Sequence, residues 1–457
     1  MTAITPIQEN ARMLASIVGI GEDEAVELLN RTVVISYSPS GEPLARELRA
    51  QLERTVCVAE NGHCDLEVMI GTAPVTAAAK RLYVTTTADT AVISASPEIA
   101  GIPPVPLHGL QTMIVACYAA GTVLRQVIQG LPGTDSDPFV VRFDALDANR
   151  SILERPIILD DAVLIGAGAV GNGFLRAVRH LDIRGVLTIA DPKKVGAGNP
   201  NRCLYFDTTD VEQPKAFCLA EKAQSDFEHL KLAPEEMTFR DLVKRRSRIR
   251  RAIVATDSRR VRRSIQKDLP VEVLDASTTD ASAVVVHSHR QPTDRACLAC
   301  IYRHVPDELA RARDIASGLG LAVNDVTDND LIDEAIAEKI VKAHPGLDAN
   351  ALVGKAFDSL FKQLCGAQVL VSPTGAQVLA PFAFVSNLAG ALLALELARF
   401  ESGAETSSHN NYLNLSPWHS PHSKIRSRRE RIPECEFCGN PRAMSAMKQV
   451  WPEVFCE

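Results

Sequence analysis

The chain has 457 residues, is 46% hydrophobic and 23% charged, and carries a formal net charge of -7. That length predicts two or three domains, not one small core. The acidic balance argues against nucleic-acid or membrane-surface binding, because both need a basic face. The opening MTAITPIQEN lacks a basic run leading into an apolar one, so no secretion signal is expected and the cytoplasm is the default location.

Residues 1 to 30 read as helix, with Met13, Leu14, Ile17, Val18 and Ile20 on one stripe. Strands are predicted at Arg31–Ser36, Leu66–Ile70, Leu82–Thr86, Ala91–Ser94 and Phe139–Phe143. Helices are predicted at Pro43–Arg54 and Leu107–Gln129. The turn after the first strand, SPSGEP, has Gly41 as its only glycine and cannot cradle a phosphate.

A second α/β unit opens with the stretch DDAVLIGAGAVGNGFLRAVRHLDIRGVLTIAD. A buried strand, Ala162–Ile165, turns through Gly166, Gly168 and Gly171 into a helix, and a second strand, Val186–Ala190, ends on Asp191. Such glycines let backbone approach phosphates at a helix N-terminus, and the acid can hold a ribose hydroxyl. The layout alone does not say which nucleotide. Asn199, Arg202, Lys215 and Asp257 supply the rest, and they point to ATP and not to a nicotinamide.

Later strands are predicted at Ala252–Ala255, Val271–Asp275, Ser282–His287 and Asn411–Leu415. Between them, residues 301 to 364 turn polar and helix-forming. The most apolar helix, Ala376–Phe400, is interrupted by Ser386, Asn387, Glu396 and Arg399, so it reads as a core helix and not a membrane span. The long helix and strand that close each half resemble one another, which reads as a degenerate internal duplication. The Arg/Lys-rich run from 240 to 264 reads as a solvated helix face, and His419 and His422 as loop residues without metal partners.

Eleven cysteines in such a chain indicate metal or catalytic use before disulfides. Cys297 and Cys300 form one CxxC knuckle, and Cys435 and Cys438 a second. Four thiolates are the complement of a closed tetrahedral Zn2+ site, which would staple the C-terminal segment onto the second unit.

With these residues in place, the chain resembles the adenylating superfamily of ubiquitin-activating enzymes and ThiF-like adenylyltransferases, over about Ala162 to Gly439. It looks closest to the activating enzymes of bacterial ubiquitin-like conjugation systems. The resemblance implies an α/β fold of two tandem Rossmann-like units, the first (1–149) degenerate and the second active. The active unit would span 150–300 and 365–457, with a helical insert at 301–364. Gly166, Gly168 and Gly171 stand for the family's nucleotide loop, Asp191 for its ribose acid, Asn199 and Arg202 for its phosphate-facing pair. Lys215 stands for its catalytic lysine and Asp257 for its magnesium-associated acid, so ATP, Mg2+ and Zn2+ are the implied cofactors. Lys193 departs from the family's Asp-x-Asp, and Cys203 stands where a glutamine commonly follows the arginine. Arg12 is a candidate for the arginine that a partner domain lends to the phosphates.

Cys365, in FKQLCGAQ, lies at the crossover where the family carries its acyl-accepting cysteine, and Gly366 beside it suits a loop. The implied substrate is a ubiquitin-like protein with a C-terminal glycine, adenylated, passed to Cys365 as a thioester, then handed to a ubiquitin-conjugating-type enzyme. The chain would be a monomer with an internal pseudo-dimer, or a homodimer. Two alternatives remain at this stage: a sulfur-carrier adenylyltransferase that forms no thioester, and an inactive scaffold that binds nucleotide or a β-grasp protein.

Overall fold

In the computed structural model, the described residues (6–133, 137–279, 281–302, 308–327, 329, 331–366, 382–404 and 410–455) build two sheets. The first comprises β1 (Thr32–Tyr37), β2 (Cys57–Ala59), β3 (Leu66–Ile70), β4 (Lys80–Thr86), β5 (Thr90–Ser94) and β6 (Phe139–Arg142), in the order β2-β1-β3-β4-β5-β6. Pairings from β2 to β4 are parallel, and β5 and β6 add antiparallel. β3, LEVMI, is buried at every position, as expected of a parallel strand covered on both faces.

The second sheet comprises β7 (Ile157–Ile165), β8 (Ile183–Ala190), β9 (Leu230–Glu235), β10 (Arg251–Val254), β11 (Glu272–Thr279), β12 (Ala283–Arg290), β13 (Tyr412–Leu415) and β14 (Arg426–Ser427). Their order is β14-β13-β12-β11-β10-β7-β8-β9. It is parallel from β9 to β11 and antiparallel beyond. Read as β8-β7-β10-β11-β12-β13, it repeats the order and directions of the first sheet. Each series also takes in a long buried helix just before its last strand, Gly109–Val127 before β6 and Ala383–Ser402 before β13.

The helix Ala383–Ser402 is apolar enough to cross a membrane by composition, yet it is wholly enclosed by protein. Its charged residues are paired in place. Glu396 accepts hydrogen bonds from Ser288 (2.7 Å), Arg426 (2.8 Å) and Arg399 (3.0 Å), and Arg399 continues to Asp147 of the first unit (2.9 Å). The predicted start at Ala376 lies outside the described residues. Where this helix crosses the helix Ala169–Val178, a Cβ on Gly390 would fall 2.3 Å from the Gly173 backbone, so only glycine lets the two backbones pass this closely.

The insert folds around a core of its own. Helices Glu308–Leu319, Val323–Thr327, Glu334–Ala343 and Phe357–Gly366 enclose Leu319, Ile336, Ile340, Phe357, Leu360 and Leu364. Phe357, Leu360 and Leu364 recur at helical spacing, so the last helix runs on through Cys365 and Gly366, and the cysteine lies in its final turn, not in a loop. The basic run is a solvated face only in part, since Arg240, Lys244, Arg245 and Arg248 are exposed. Arg262 and Arg263 are buried, Arg262 pairing with Asp275 and Arg263 with Glu436 (2.6 Å).

Candidate nucleotide site and cysteine centre

The site begins where β7 ends. Gly166 has φ +104, a conformation that side-chain-bearing residues avoid, and a Cβ on Gly171 would sit 2.2 Å from the Gly166 carbonyl oxygen. Those two glycines are dictated by the chain. Gly168 is not: its φ is -80, and a Cβ there would meet nothing within 4 Å. Its bareness instead leaves open space beside the loop, as a nucleotide phosphate requires. Gly168 is also the N-cap of the helix Ala169–Val178, and no side chain caps it. The first N–H groups and the positive end of the helix therefore face that space.

Asp191, at the end of β8, is buried against the loop. One oxygen accepts the Ala167 N–H (2.8 Å) and the other the Lys193 N–H (2.8 Å). Lys193 has a clear place. Its ammonium lies 3.3 Å from the Asp257 carboxylate, in the turn that follows β10. Burial works against the charge, but Asp257 and then Asp191 outweigh it and raise the Lys193 pKa. The segments 193–195 and 212–215 bond to one another, with the Lys215 N–H on the Lys193 carbonyl (2.9 Å) and the Val195 N–H on the Gln213 carbonyl (2.8 Å). Lys215 thus opens the helix Lys215–Gln224 beside Lys193. Burial pushes the Lys215 pKa down, opposed by Asp191 and aided by Lys193.

Asn199 and Arg202 lie on a tight turn, where Asn199 accepts the Gly196 N–H (2.9 Å) and Arg202 donates to the Asn201 side chain (2.8 Å). Three links the sequence did not reveal hold this turn. Fully buried Asn172 donates to the carbonyls of Ala167 (3.1 Å) and Gly168 (3.0 Å) and accepts the Tyr205 N–H (3.1 Å), joining the glycine loop to the segment 199–206. From the first unit, Arg54 donates to the carbonyls of Pro200 (2.6 Å), Leu204 (3.1 Å) and Phe206 (3.2 Å). Asn10 of the N-terminal helix accepts from Asn201 (3.2 Å) and donates to the Arg54 carbonyl (2.6 Å). Arg12, on the same helix, pairs with Glu22 (3.3 Å). The arginine that the first unit places on the Asn199–Arg202 turn is Arg54.

Cys297, Cys300, Cys435 and Cys438 converge, all buried, with their sulfurs within 4.8 Å of one another. Close pairs stand at 3.4, 3.6 and 3.8 Å. Tetrahedral Zn2+ with bonds of about 2.3 Å needs sulfurs about 3.8 Å apart, so the donor set fits zinc. Cys297 donates to Cys300, which pulls the Cys300 thiol down to about 7 and pushes Cys297 up. The Ile432 N–H bonds to the Cys300 sulfur (3.4 Å), and a Cβ on Gly439 would strike the Pro433 carbonyl at 2.5 Å. Among the described residues no other cluster of three or more His, Cys, Asp or Glu side chains converges in this way. His419 and His422 bond locally, to Ser416 (2.9 Å) and to the Lys424 N–H (3.1 Å).

An open glycine loop with lysines and carboxylates around it, on a mixed sheet beside four clustered cysteines, defines a Rossmann-like nucleotide-binding α/β protein with a buried cysteine cluster that could hold zinc. Residues 160–437 match the model of the ThiF family, and residues 2–148 match that of the E1 N-terminal domain. The chain belongs to the ThiF family, whose members are ATP-dependent adenylyltransferases. The uncharacterized protein y4jF of Sinorhizobium fredii is 26% identical over 346 residues, which cover 69% of this chain and 65%, under two thirds, of that protein. Of the solved structures, Escherichia coli MccB is 15% identical with a TM-score of 0.38, over 65% of this chain and 68% of that one. The E. coli tRNA N6-threonylcarbamoyladenosine dehydratase TcdA is 14% identical with a TM-score of 0.30, over 58% and 91%.

Proposed function

We propose that the chain activates the C-terminal glycine of a ubiquitin-like protein. The observation that carries this reading is a nucleotide site held from two sides: the second unit supplies loop, lysines and acids, while the first, matched to the E1 N-terminal domain, fixes the Asn199–Arg202 turn through Arg54. The first unit is read as a degenerate adenylation unit standing where a second active one would stand.

A carboxylate oxygen of the substrate glycine attacks the α-phosphorus of ATP, and pyrophosphate leaves with the electron pair of the broken P–O bond. Arg202 and Lys215 stabilise the charge that grows on the phosphoryl oxygens. Asp191 orients the ribose. Mg2+ held by Asp257 would supply charge neutralisation to the departing pyrophosphate. The Cys365 thiolate then attacks the acyl carbon, expelling AMP and forming a thioester for a conjugating enzyme. The helix that carries Cys365 starts three residues past Gly354, which packs beside Pro192, and Asp358 lies in its first turn. Seven residues on, Cys365 is about 10 Å further along the helix axis.

The test is incubation with ATP and a β-grasp protein ending in glycine, followed by non-reducing electrophoresis. A thiol-sensitive adduct that disappears in Cys365→Ala supports the reading. An adduct that survives that substitution removes Cys365 as acceptor, and adenylate without any adduct favours a sulfur-carrier adenylyltransferase.

A further inference from the structure

The helical insert touches the nucleotide site at one turn. Between its helices Glu334–Ala343 and Phe357–Gly366 the chain passes through buried Gly354, whose φ is +78 and whose Cβ, if present, would lie 3.3 Å from the Pro192 side chain. Pro192 separates Asp191 from Lys193, so the insert rests on the turn that carries the nucleotide acid. The insert fixes its own turn from within. The Gly354 N–H donates to the Ile332 carbonyl (2.9 Å), the Ile332 N–H to the Lys355 carbonyl (2.9 Å), and the Lys355 N–H to the Leu352 carbonyl (3.1 Å). Ala356 and Phe357, which follow, are buried.

Lys355 is thereby set, half-buried, on the flank of the Asp191–Lys193 turn. Burial, then Lys193 and Lys215, push its pKa down to about 8, with Glu212 and Asp257 opposing. Lysines from three separate segments of chain thus act on one another around the Asp191–Lys193 turn, whose acid holds the Ala167 N–H of the glycine loop. A multiply charged anion in that space relieves their repulsion, and a triphosphate carries the charge and length to reach all three.

We propose that Lys355 is an ATP-binding residue contributed by the helical insert, contacting the polyphosphate when the insert rests on Pro192. The assignment builds on the adenylation reading and adds to it a second function for the insert, completion of the nucleotide site. The insert then senses nucleotide, and the thiol-bearing helix that follows Lys355 is held in place by bound ATP.

The experiment uses the full chain and titrates Mg-ATP and AMP calorimetrically into wild type, Lys355→Ala, Lys355→Arg and, as a control on the insert's exposed surface, Lys342→Ala. Loss of one charge-assisted contact weakens ATP at least about tenfold in Lys355→Ala while AMP stays within about twofold. Lys355→Arg restores most of the ATP affinity, and Lys342→Ala matches wild type. In wild type, ATP but not adenosine protects Lys355 from an amine-acylating reagent, read by peptide mass spectrometry. Wild-type ATP binding with unchanged affinity in Lys355→Ala, or unprotected Lys355 at saturating ATP, overturns the proposal. Failure of wild type to bind ATP at all overturns the adenylation reading beneath it.

Discussion

Removing Arg54 tests whether the first unit serves the active site of the second. Its guanidinium donates to three carbonyls on the segment that carries Arg202, at 2.6, 3.1 and 3.2 Å. A hydrogen bond from a charged donor contributes about 1.5–3 kcal/mol net. Three bonds sharing one guanidinium are not additive, so Arg54→Ala is expected to cost about 3 kcal/mol. Part of that loss falls on the packing of the two units and part on the order of the Asn199–Arg202 turn. Charging between half and all of it to the turn gives ATP binding weaker by about 10- to 100-fold. Arg54→Lys keeps a cation but not the fork, and should fall between. Calorimetric titration of Mg-ATP measures the affinity, and circular dichroism shows whether the fold survives. A folded Arg54→Ala variant with wild-type ATP affinity would refute the reasoning, because the turn would then hold its shape without the first unit.

Gly168→Ala should fold like wild type, since its Cβ meets nothing, but bind ATP at least about tenfold more weakly; unchanged affinity would mean that no phosphate approaches there. Gly171→Ala should instead lose about 1–3 kcal/mol of stability by overpacking on the Gly166 carbonyl, read as an earlier unfolding transition. Elemental analysis should find one zinc per chain, and Cys438→Ser should lose the metal and unfold more readily, whereas a zinc-free chain of full stability would exclude the assignment. Burial opposes the charge on Glu396, but Arg426 and Arg399 overcome it and hold its pKa at about 2, below the ordinary 4.5. A depressed carboxylate pKa stabilises the fold fully above the unfolded-state value and loses that stability as pH falls from about 4.5 through 2. Glu396→Gln should flatten that part of the acid-unfolding profile; an unchanged slope would show that the buried pair contributes nothing.

The glycine loop, Asp191 and the two CxxC knuckles were legible because each is a local spacing with one steric or coordination meaning. The alternation of strands and helices was legible for the same reason, hydrophobic period being a local property, although β2, β9 and β14 are too short or too polar to stand out. Lys193 could not be placed from sequence, because its meaning lies in Asp257, 64 positions away. Arg54 and the Gly354–Lys355 turn were missed for the same cause: each reaches the segment 191–206 from another folding unit, and nothing near either in sequence marks it. Cys365 was expected in a loop on the strength of Gly366, and the apolar spacing of Phe357, Leu360 and Leu364 prevailed over that single glycine. The arginines at 262 and 263 resembled a solvent face because their acids, Asp275 on β11 and Glu436 in the second knuckle, lie on other elements.

The most direct test of the central claim is exchange of radiolabelled pyrophosphate into ATP by the full chain, with and without a β-grasp protein ending in glycine. The account predicts exchange that requires the protein with its terminal glycine intact, is abolished in Asp257→Ala and Lys215→Ala, and persists in Cys365→Ala. Exchange that survives loss of Lys215 and Asp257, or that proceeds equally well without the glycine terminus, would contradict it.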